Sequence, residues 1–261
     1  MIFLAWNCRG MGQPSTIHEL RALVCSSNPE CILLMEAKVN FGTMQTILQH
    51  LHFLNHVYVP PVGLSGGLCV AWHDGIEMEP ISMNKHIISL LVFSTPGFAP
   101  WLVSVVYGPN SNADKRLFWE NIHHETDLFS GVWLIIGDFN TIWNSDDYSS
   151  GTDLDIGSRR MQFALDNLGM LFIPASGFNY SWTNRRQGNR RIRFKIDRAM
   201  ANEDWWRSFP NAYIRVLPQT TSDYNPQILH CIGQDSFAKR PFCYEAIWTE
   251  EKHSHWVVNQ A

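Results

Sequence analysis

The chain has 261 residues, 45% of them hydrophobic and 17% charged, and a formal net charge of −4. A chain of that size and apolar content builds a substantial core, which excludes a disordered protein, and its charge excludes indiscriminate nucleic-acid binding through net charge alone. Lys, His or Pro interrupts every apolar run short of a membrane span, and Met1-Ile2-Phe3-Leu4-Ala5 lacks the basic segment of a signal peptide.

The first predicted strand, 2–7, delivers Asn7 at its C-terminal end, followed by Cys8-Arg9-Gly10. Residues 16–25 carry Ile17, Leu20, Leu23 and Val24 on one helical face, with Thr16 and Glu19 spaced as a capping box. Cys31-Ile32-Leu33-Leu34-Met35 is a second apolar run and ends in Glu36. A strand at 67–72 leads through Asp74-Gly75, read as a hairpin turn, to 76–80. Strands follow at 87–93 and 101–107, the latter ending in Tyr107 before Gly108-Pro109-Asn110, and then a helix at 114–124. The run 132–137 passes directly into Gly137-Asp138-Phe139-Asn140. In an extended backbone Asp138 and Asn140, two apart, point to the same side, where a carboxylate and an amide can orient a water and bind a phosphate oxygen. A helix at 158–168 takes Ser158 as N-cap and Gly169 as stop, and strands at 192–197, 212–217 and 227–232 complete the pattern. Many strands with a few helices between them predict two packed sheets with helices outside. After Ile232 the texture changes, so residues 1–232 read as one domain and 233–261 as a C-terminal extension.

Four strand ends carrying Asn7, Glu36, Tyr107 and Asp138/Asn140 look like parts of one site. The stretch 185–198, RRQGNRRIRFKIDR, holds seven of the twenty Lys and Arg residues with a single acid. It reads as a hairpin turning at Gly188-Asn189, with phosphate contacts from its arginines. The six cysteines show no CxxC spacing and read as reduced thiols of an intracellular protein.

The segments WNCRGMG (6–12), LLMEAK (33–38), VYGPN (106–110), GDFN (137–140), SWTN (181–184), KIDRAMAN (195–202) and SDYNP (222–226) occur in an order and at distances that resemble the endonuclease/exonuclease/phosphatase superfamily. WNCRG, the PSTIHELRALV helix and YEAIWTEE near the end are most similar to the endonuclease domain of plant LINE-type retrotransposons. The resemblance implies a deoxyribonuclease I-like four-layer α/β sandwich, of two mostly antiparallel sheets flanked by helices. It implies a divalent-metal-dependent phosphodiesterase that nicks DNA, acting as a monomer without a membrane and in the nucleus. Glu36 would be the principal ligand of Mg²⁺ or Mn²⁺, with Asn7 helping to hold metal or phosphate. Asp138 would direct the attacking water, and Asn140 and Tyr107 would bind phosphate. Trp182 and Asn184, with Arg185, Arg186, Arg190, Arg191 and Arg193, would face DNA. Asp197 would be the partner of a catalytic histidine, and Asp223 the acid next to it.

The chain departs from the family at that histidine. The expected Ser-Asp-His is here Ser222-Asp223-Tyr224. A tyrosine, with an ordinary pKa of about 10, donates one hydrogen bond but supplies no imidazolium. His230, six residues on, falls inside the next strand and is no evident substitute. The expectation is therefore an impaired enzyme. The alternatives are an inactive retrotransposon remnant with residual DNA binding and, less in keeping with the motifs, a phosphatase acting on inositol phosphates or phospholipids.

Overall fold

A computed structural model describes residues 1–63, 65–93, 99–150 and 154–233, so the extension predicted at 233–261 falls, but for its first residue, outside the described residues. The elements in chain order are β1 (Ile2–Asn7), α1 (Pro14–Ser27), β2 (Cys31–Met35), α2 (Phe41–His50), β3 (Asn55–Val62), β4 (Ser65–Trp72), β5 (Met78–Met83), β6 (Ile87–Val92), β7 (Trp101–Tyr107), α3 (Asn112–Leu128) and β8 (Trp133–Asp138). They continue with α4 (Ile156–Leu168), β9 (Leu171–Phe172), β10 (Ala175–Gly177), β11 (Trp182–Thr183), β12 (Arg193–Phe194), β13 (Asp197–Ala201), α5 (Glu203–Ser208), β14 (Tyr213–Val216) and β15 (Gln227–His230).

One sheet runs β10-β14-β15-β1-β2-β4-β3 and the other β5-β6-β7-β8-β13-β9, with β11-β12 as a separate hairpin. The inner faces meet in a core that includes Phe3, Leu33, Val70, Leu90, Val103, Leu134 and Leu229. Alternate residues of the same strands face outward: Leu4, Trp6, Ile32 and Leu34 pack with Leu20 of α1 and Met44, Ile47 and Leu48 of α2. On the far side Leu102, Val106 and Ile135 pack with Phe118 and Ile122 of α3 and Met161 and Leu165 of α4. This is the expected four-layer sandwich. Strands buried on both faces read as continuous apolar runs, which is why they stand out in the sequence.

Most pairings are antiparallel, but each sheet holds a central parallel pair, β1 with β2 and β7 with β8. Parallel neighbours end at the same edge. In register, Asn7 pairs with Met35 just before Glu36, and Tyr107 pairs with Asp138. Four polar strand ends are thereby gathered at one edge of the sandwich.

Several local expectations are corrected. The Thr16/Glu19 capping box does not form: α1 starts two residues earlier at Pro14, whose fixed φ suits a first helical position. Glu19 instead accepts from the backbone N–H groups of Thr220 (3.1 Å) and Thr221 (2.8 Å) and from the Thr221 hydroxyl. The N-cap of α4 is Asp155 rather than Ser158, which donates both its N–H and its hydroxyl to Asp155. Asp74-Gly75 does turn, but no hairpin follows, because β4 and β5 belong to different sheets. The predicted strand 192–197 divides into β12 and the start of β13, and the strand predicted to end at Ile232 stops at His230.

Candidate active site

The cleft at the strand-end edge has a volume of about 630 Å³, and its lining includes Arg9, Glu36, Lys38, Tyr107, Asn140, Trp182, Phe194 and Tyr224. Backbone strain concentrates here. Seven non-glycine residues have positive φ among those described, and four of them, Arg9, Glu36, Lys38 and Asn140, line the cleft. Each such conformation costs roughly 1–3 kcal/mol and persists where the surroundings enforce it. Part of that enforcement comes from Gly67, at φ +90°, where an added Cβ would stand 2.8 Å from the Lys38 nitrogen. The close approach lets the Gly67 and Gly66 carbonyls accept from the Ala37 (3.0 Å) and Lys38 (3.3 Å) N–H groups, which fixes the turn carrying Glu36.

Glu36 accepts from the Tyr107 phenol (2.9 Å) and from the Asn7 side-chain amide (3.3 Å), and its other oxygen faces the Lys38 ammonium at 2.5 Å. Burial alone would raise its pKa. The Lys38 and Tyr107 hydrogen bonds, the Lys38 charge and Asn7 outweigh that and hold it below the ordinary carboxylate value. Asn7, fully buried, also donates to Asp138 (2.8 Å) and so joins the two sheets' acids. Asp138 is itself fully buried and accepts from the Asn140 N–H (2.8 Å). Burial and the Glu36 charge push it up to about 7, against the hydrogen bonds from Asn140 and Asn7 and the nearby Tyr224 phenol. The Asn140 side chain ties this turn to the Gly108 carbonyl (2.7 Å).

The other half of the cleft is less complete. Asp197 stands directly opposite Asp138 in the β13–β8 ladder, and its backbone N–H donates to the Ser181 hydroxyl (2.9 Å). Its Oδ2 is buried without a hydrogen-bond partner. Burial, then the charges of Asp138 and Glu36, raise its pKa well above the carboxylate range. Asp223 pairs with Arg9 and accepts from the Trp182 indole (2.9 Å), while its Oδ1 is unpartnered. Ser222 bonds the Asn7 carbonyl (2.8 Å) and accepts from the Tyr224 N–H (3.2 Å), which sets Tyr224 over the acid cluster. Burial and the charges of Asp138, Asp197 and Glu36 push the Tyr224 phenol far above its usual range, so it is a neutral donor only. His230 is at the opposite edge of its sheet, paired with Ile2 at the start of β1 and stacked on Tyr213.

A hairpin forms about Gly188, but its first strand, β11, lies before the predicted stretch. Trp182 stands opposite Phe194 and Thr183 opposite Arg193, and Gly188–Arg190 makes a 3-10 turn inside a loop over 184–192. Arg186, Arg190 and Arg191 are exposed along its loop. Arg185 is turned onto the carbonyls of Thr220 (3.0 Å) and Ser222, and Arg193 lies over the Tyr180 ring. Asn184 uses its side chain to close the loop, donating to the Arg190 carbonyl (2.9 Å) and accepting from the Ile192 N–H (3.0 Å). Two cations of the basic run point inward: Arg198 is buried against Asp147, and Lys195 is half-buried. Lys38, Lys115 and Thr141 also line the cleft, although the sequence does not single them out. Lys38 lies within a quoted motif, but the other two carry no local signal.

A hard divalent cation fits this donor chemistry. The charge of Glu36 raises the proton affinity of Asp138 and of Asp197, a repulsion that a cation beside Glu36 would relieve. Among the described residues no group of three or more His, Cys, Asp or Glu is placed to hold one jointly. Glu36 and the Lys38 that faces it both line the cleft.

Solved structures share the fold. The endonuclease domain of TRAS1, a telomere-specific non-LTR retrotransposon, is 14% identical with a TM-score of 0.69, over 90% of this chain and 99% of that one. The 3′-5′ exonuclease NExo from Neisseria meningitidis is 16% identical with a TM-score of 0.68, over 90% and 100%. The AP endonuclease LMAP from Leishmania major is 14% identical with a TM-score of 0.68, over 87% and 86%. At these identities the likeness is one of fold. No curated protein matches the sequence. None of the described helices is long and apolar enough to cross a membrane. The Endonuclease/Exonuclease/phosphatase family model matches residues 4–223, from the first strand to the acid before Tyr224, and the chain belongs to that family.

Proposed function

We propose that this chain is a divalent-metal-dependent phosphodiesterase of the retrotransposon-endonuclease type, which nicks DNA and is impaired in its acid–base half. The observation that carries this reading is the convergence of Asn7, Glu36, Tyr107 and Asp138 at one edge of the sandwich, joined by their own hydrogen bonds. The likeness to the TRAS1 endonuclease domain of a non-LTR retrotransposon supports the choice of substrate.

Glu36, aided by Asn7, would hold Mg²⁺ or Mn²⁺, which when bound supplies Lewis-acid polarisation of a phosphoryl oxygen and stabilises the leaving oxygen. Asp138 orients a water for in-line attack on phosphorus. The water oxygen bonds to phosphorus as the P–O3′ bond breaks, and Asp138 takes the water's proton. The products are a 5′-phosphate and, once O3′ takes a proton from solvent, a 3′-hydroxyl. Tyr107 and Asn140, both lining the cleft, hold the phosphate. Arg186, Arg190 and Arg191 on the hairpin contact flanking phosphates, which position the strand without reading its sequence. Residues 1–232 make the catalytic domain in this reading, and its place of action is the nucleus.

The second reading, an inert remnant that still binds DNA, is favoured by one observation. A neutral tyrosine, Tyr224, takes the place of the family's histidine, and Asp197 Oδ2 is buried with no hydrogen-bond partner among the described residues. Nicking of supercoiled plasmid with Mg²⁺ separates the two. The endonuclease reading expects cutting by the native chain or by Tyr224→His, and loss of that cutting when Glu36→Ala is added. DNA binding without cutting by either protein supports the remnant. A chain that neither binds nor cuts sinks both readings.

A further inference from the structure

The wall of the cleft away from the hairpin holds a cation that the proposed chemistry does not use. The buried stripe of α3 consists of Lys115, Phe118, Trp119, Ile122 and Glu125. Lys115 therefore takes a position where helical periodicity calls for an apolar side chain. It is 6% exposed, yet it lines the cleft with Asn110, Asn140 and Thr141. Room for it is made by Gly157 of α4, where an added Cβ would lie 3.0 Å from the Lys115 Cδ and 3.1 Å from its Nζ. The neighbouring carboxylate, Asp155, acts on Lys115 through its charge but makes no ion pair with it, one oxygen being spent as the cap of α4 on the Ser158 N–H (2.8 Å) and hydroxyl (3.0 Å).

A second, independent observation lies beside it. Thr141, next to Asn140 and 4% exposed, also lines the cleft, and its hydroxyl is buried without a hydrogen-bond partner. On one wall, then, stand a lysine whose ammonium makes no hydrogen bond or ion pair among the described residues and a buried hydroxyl without a partner, two donors that the protein itself leaves unused. An ammonium as point charge with a hydroxyl donor suits a phosphate oxygen.

We propose that Lys115 and Thr141 form a second phosphate subsite, which takes a phosphodiester neighbouring the one held by Tyr107 and Asn140. The inference rests on the DNA-nicking reading and sharpens it. A ligand that fills both positions carries at least two linked phosphates, so the cleft selects a polynucleotide strand over an isolated phosphate ester. Lys115 is then a binding residue for the strand, with no part in the bond-breaking step.

The test is binding of a fluorescein-labelled DNA duplex by anisotropy across a salt series, for the native chain, Lys115→Met, Lys115→Arg and Thr141→Val. Lys115→Met is expected to lose about tenfold in affinity, the worth of a hydrogen bond to a charged group. The slope of log affinity against log salt should fall by about 0.9, as for one lost phosphate contact. Lys115→Arg should restore the slope, which a merely structural lysine would not control. Thr141→Val, nearly isosteric and neutral, should weaken binding about threefold without changing the slope, in the range of one hydrogen bond, and it keeps the test decisive if Lys115→Met does not fold. Unchanged affinity and slope in both Lys115→Met and Thr141→Val overturn the subsite while leaving the endonuclease reading in place. A native chain that binds no DNA overturns both.

Discussion

The two halves of the cleft are built from the same material, acids at strand ends, but differ in how far those acids are partnered. On the Glu36 side every carboxylate oxygen has a neighbour: Tyr107, Asn7 and Lys38 for Glu36, Asn140 and Asn7 for Asp138. On the other side Asp197 Oδ2 and Asp223 Oδ1 are buried with none. The backbone joins the two halves in one ladder, with Asp197 in register with Asp138. The deficit is therefore one of side-chain chemistry, at Asp223 as well as at Asp197. Tyr224 closes over the cluster but returns no hydrogen bond to Asp197 Oδ2, and it remains neutral.

The sharpest way to break the comparison is to complete the poorer half. Tyr224→His shortens the side chain over Asp138 and introduces a group that titrates near neutrality beside Asp197. Plasmid nicking is expected to rise by roughly 100- to 10,000-fold, the usual worth of a general acid or base. Nicking rates with saturating Mg²⁺ measure it. An unchanged rate would mean that Tyr224 is not what separates the two halves.

A smaller effect probes the richer half. If Glu36 holds the cation, Mg²⁺ binds the folded chain in preference to the unfolded one. At a hundredfold excess over its dissociation constant it would then add about 2.7 kcal/mol, or roughly 5–10 °C in melting temperature for a domain of this size. Glu36→Gln should abolish that shift while leaving the melting temperature in EDTA near the native one. A shift of equal size in the variant would place the cation elsewhere.

The richer half is also the more legible in sequence, for a physical reason. Asn7, Glu36, Tyr107 and Asp138 each end an apolar run buried on both faces, and period and polarity change together at that residue. What the sequence hides depends on contacts far apart in the chain. β3 contains Pro60-Pro61, which argue against a strand, yet β3 is the edge of its sheet, where proline is tolerated. Asp74-Gly75 has the residues of a hairpin turn, and only the assignment of β4 and β5 to different sheets shows otherwise. Ser158 is a good capping residue that Asp155, three positions earlier, pre-empts. Lys115 and Thr141 do not stand out because nothing in NADKRLFW or GDFNT marks a lysine or threonine as buried against a cleft. Arg198 belongs to the basic run by sequence, although its strand turns it inward to Asp147.

The smallest predicted effect tests the unpartnered acid directly. Burial and the charges of Asp138 and Glu36 raise Asp197 well above the carboxylate range, whereas in the unfolded chain it titrates near its ordinary value of about 3.9. Between those two values the folded state holds a proton that the unfolded state has released. Stability must then fall as pH rises through that window. An asparagine at this position, close in shape to the protonated acid, cannot titrate. In EDTA, Asp197→Asn and the native chain should melt together near pH 4 and diverge as pH rises, with the variant the more stable at pH 8. The gap should be at least about 2–4 °C, the change that 1 kcal/mol makes in a domain of this size. Asp138, raised to about 7, adds a fall of the same sign, and because its charge acts on Asp197 the difference between the two proteins reports Asp197 together with its effect on Asp138. Parallel pH profiles would show that Asp197 ionises in the fold without penalty, and the contrast between the two halves of the cleft would then be one of hydrogen-bond count and not of energy.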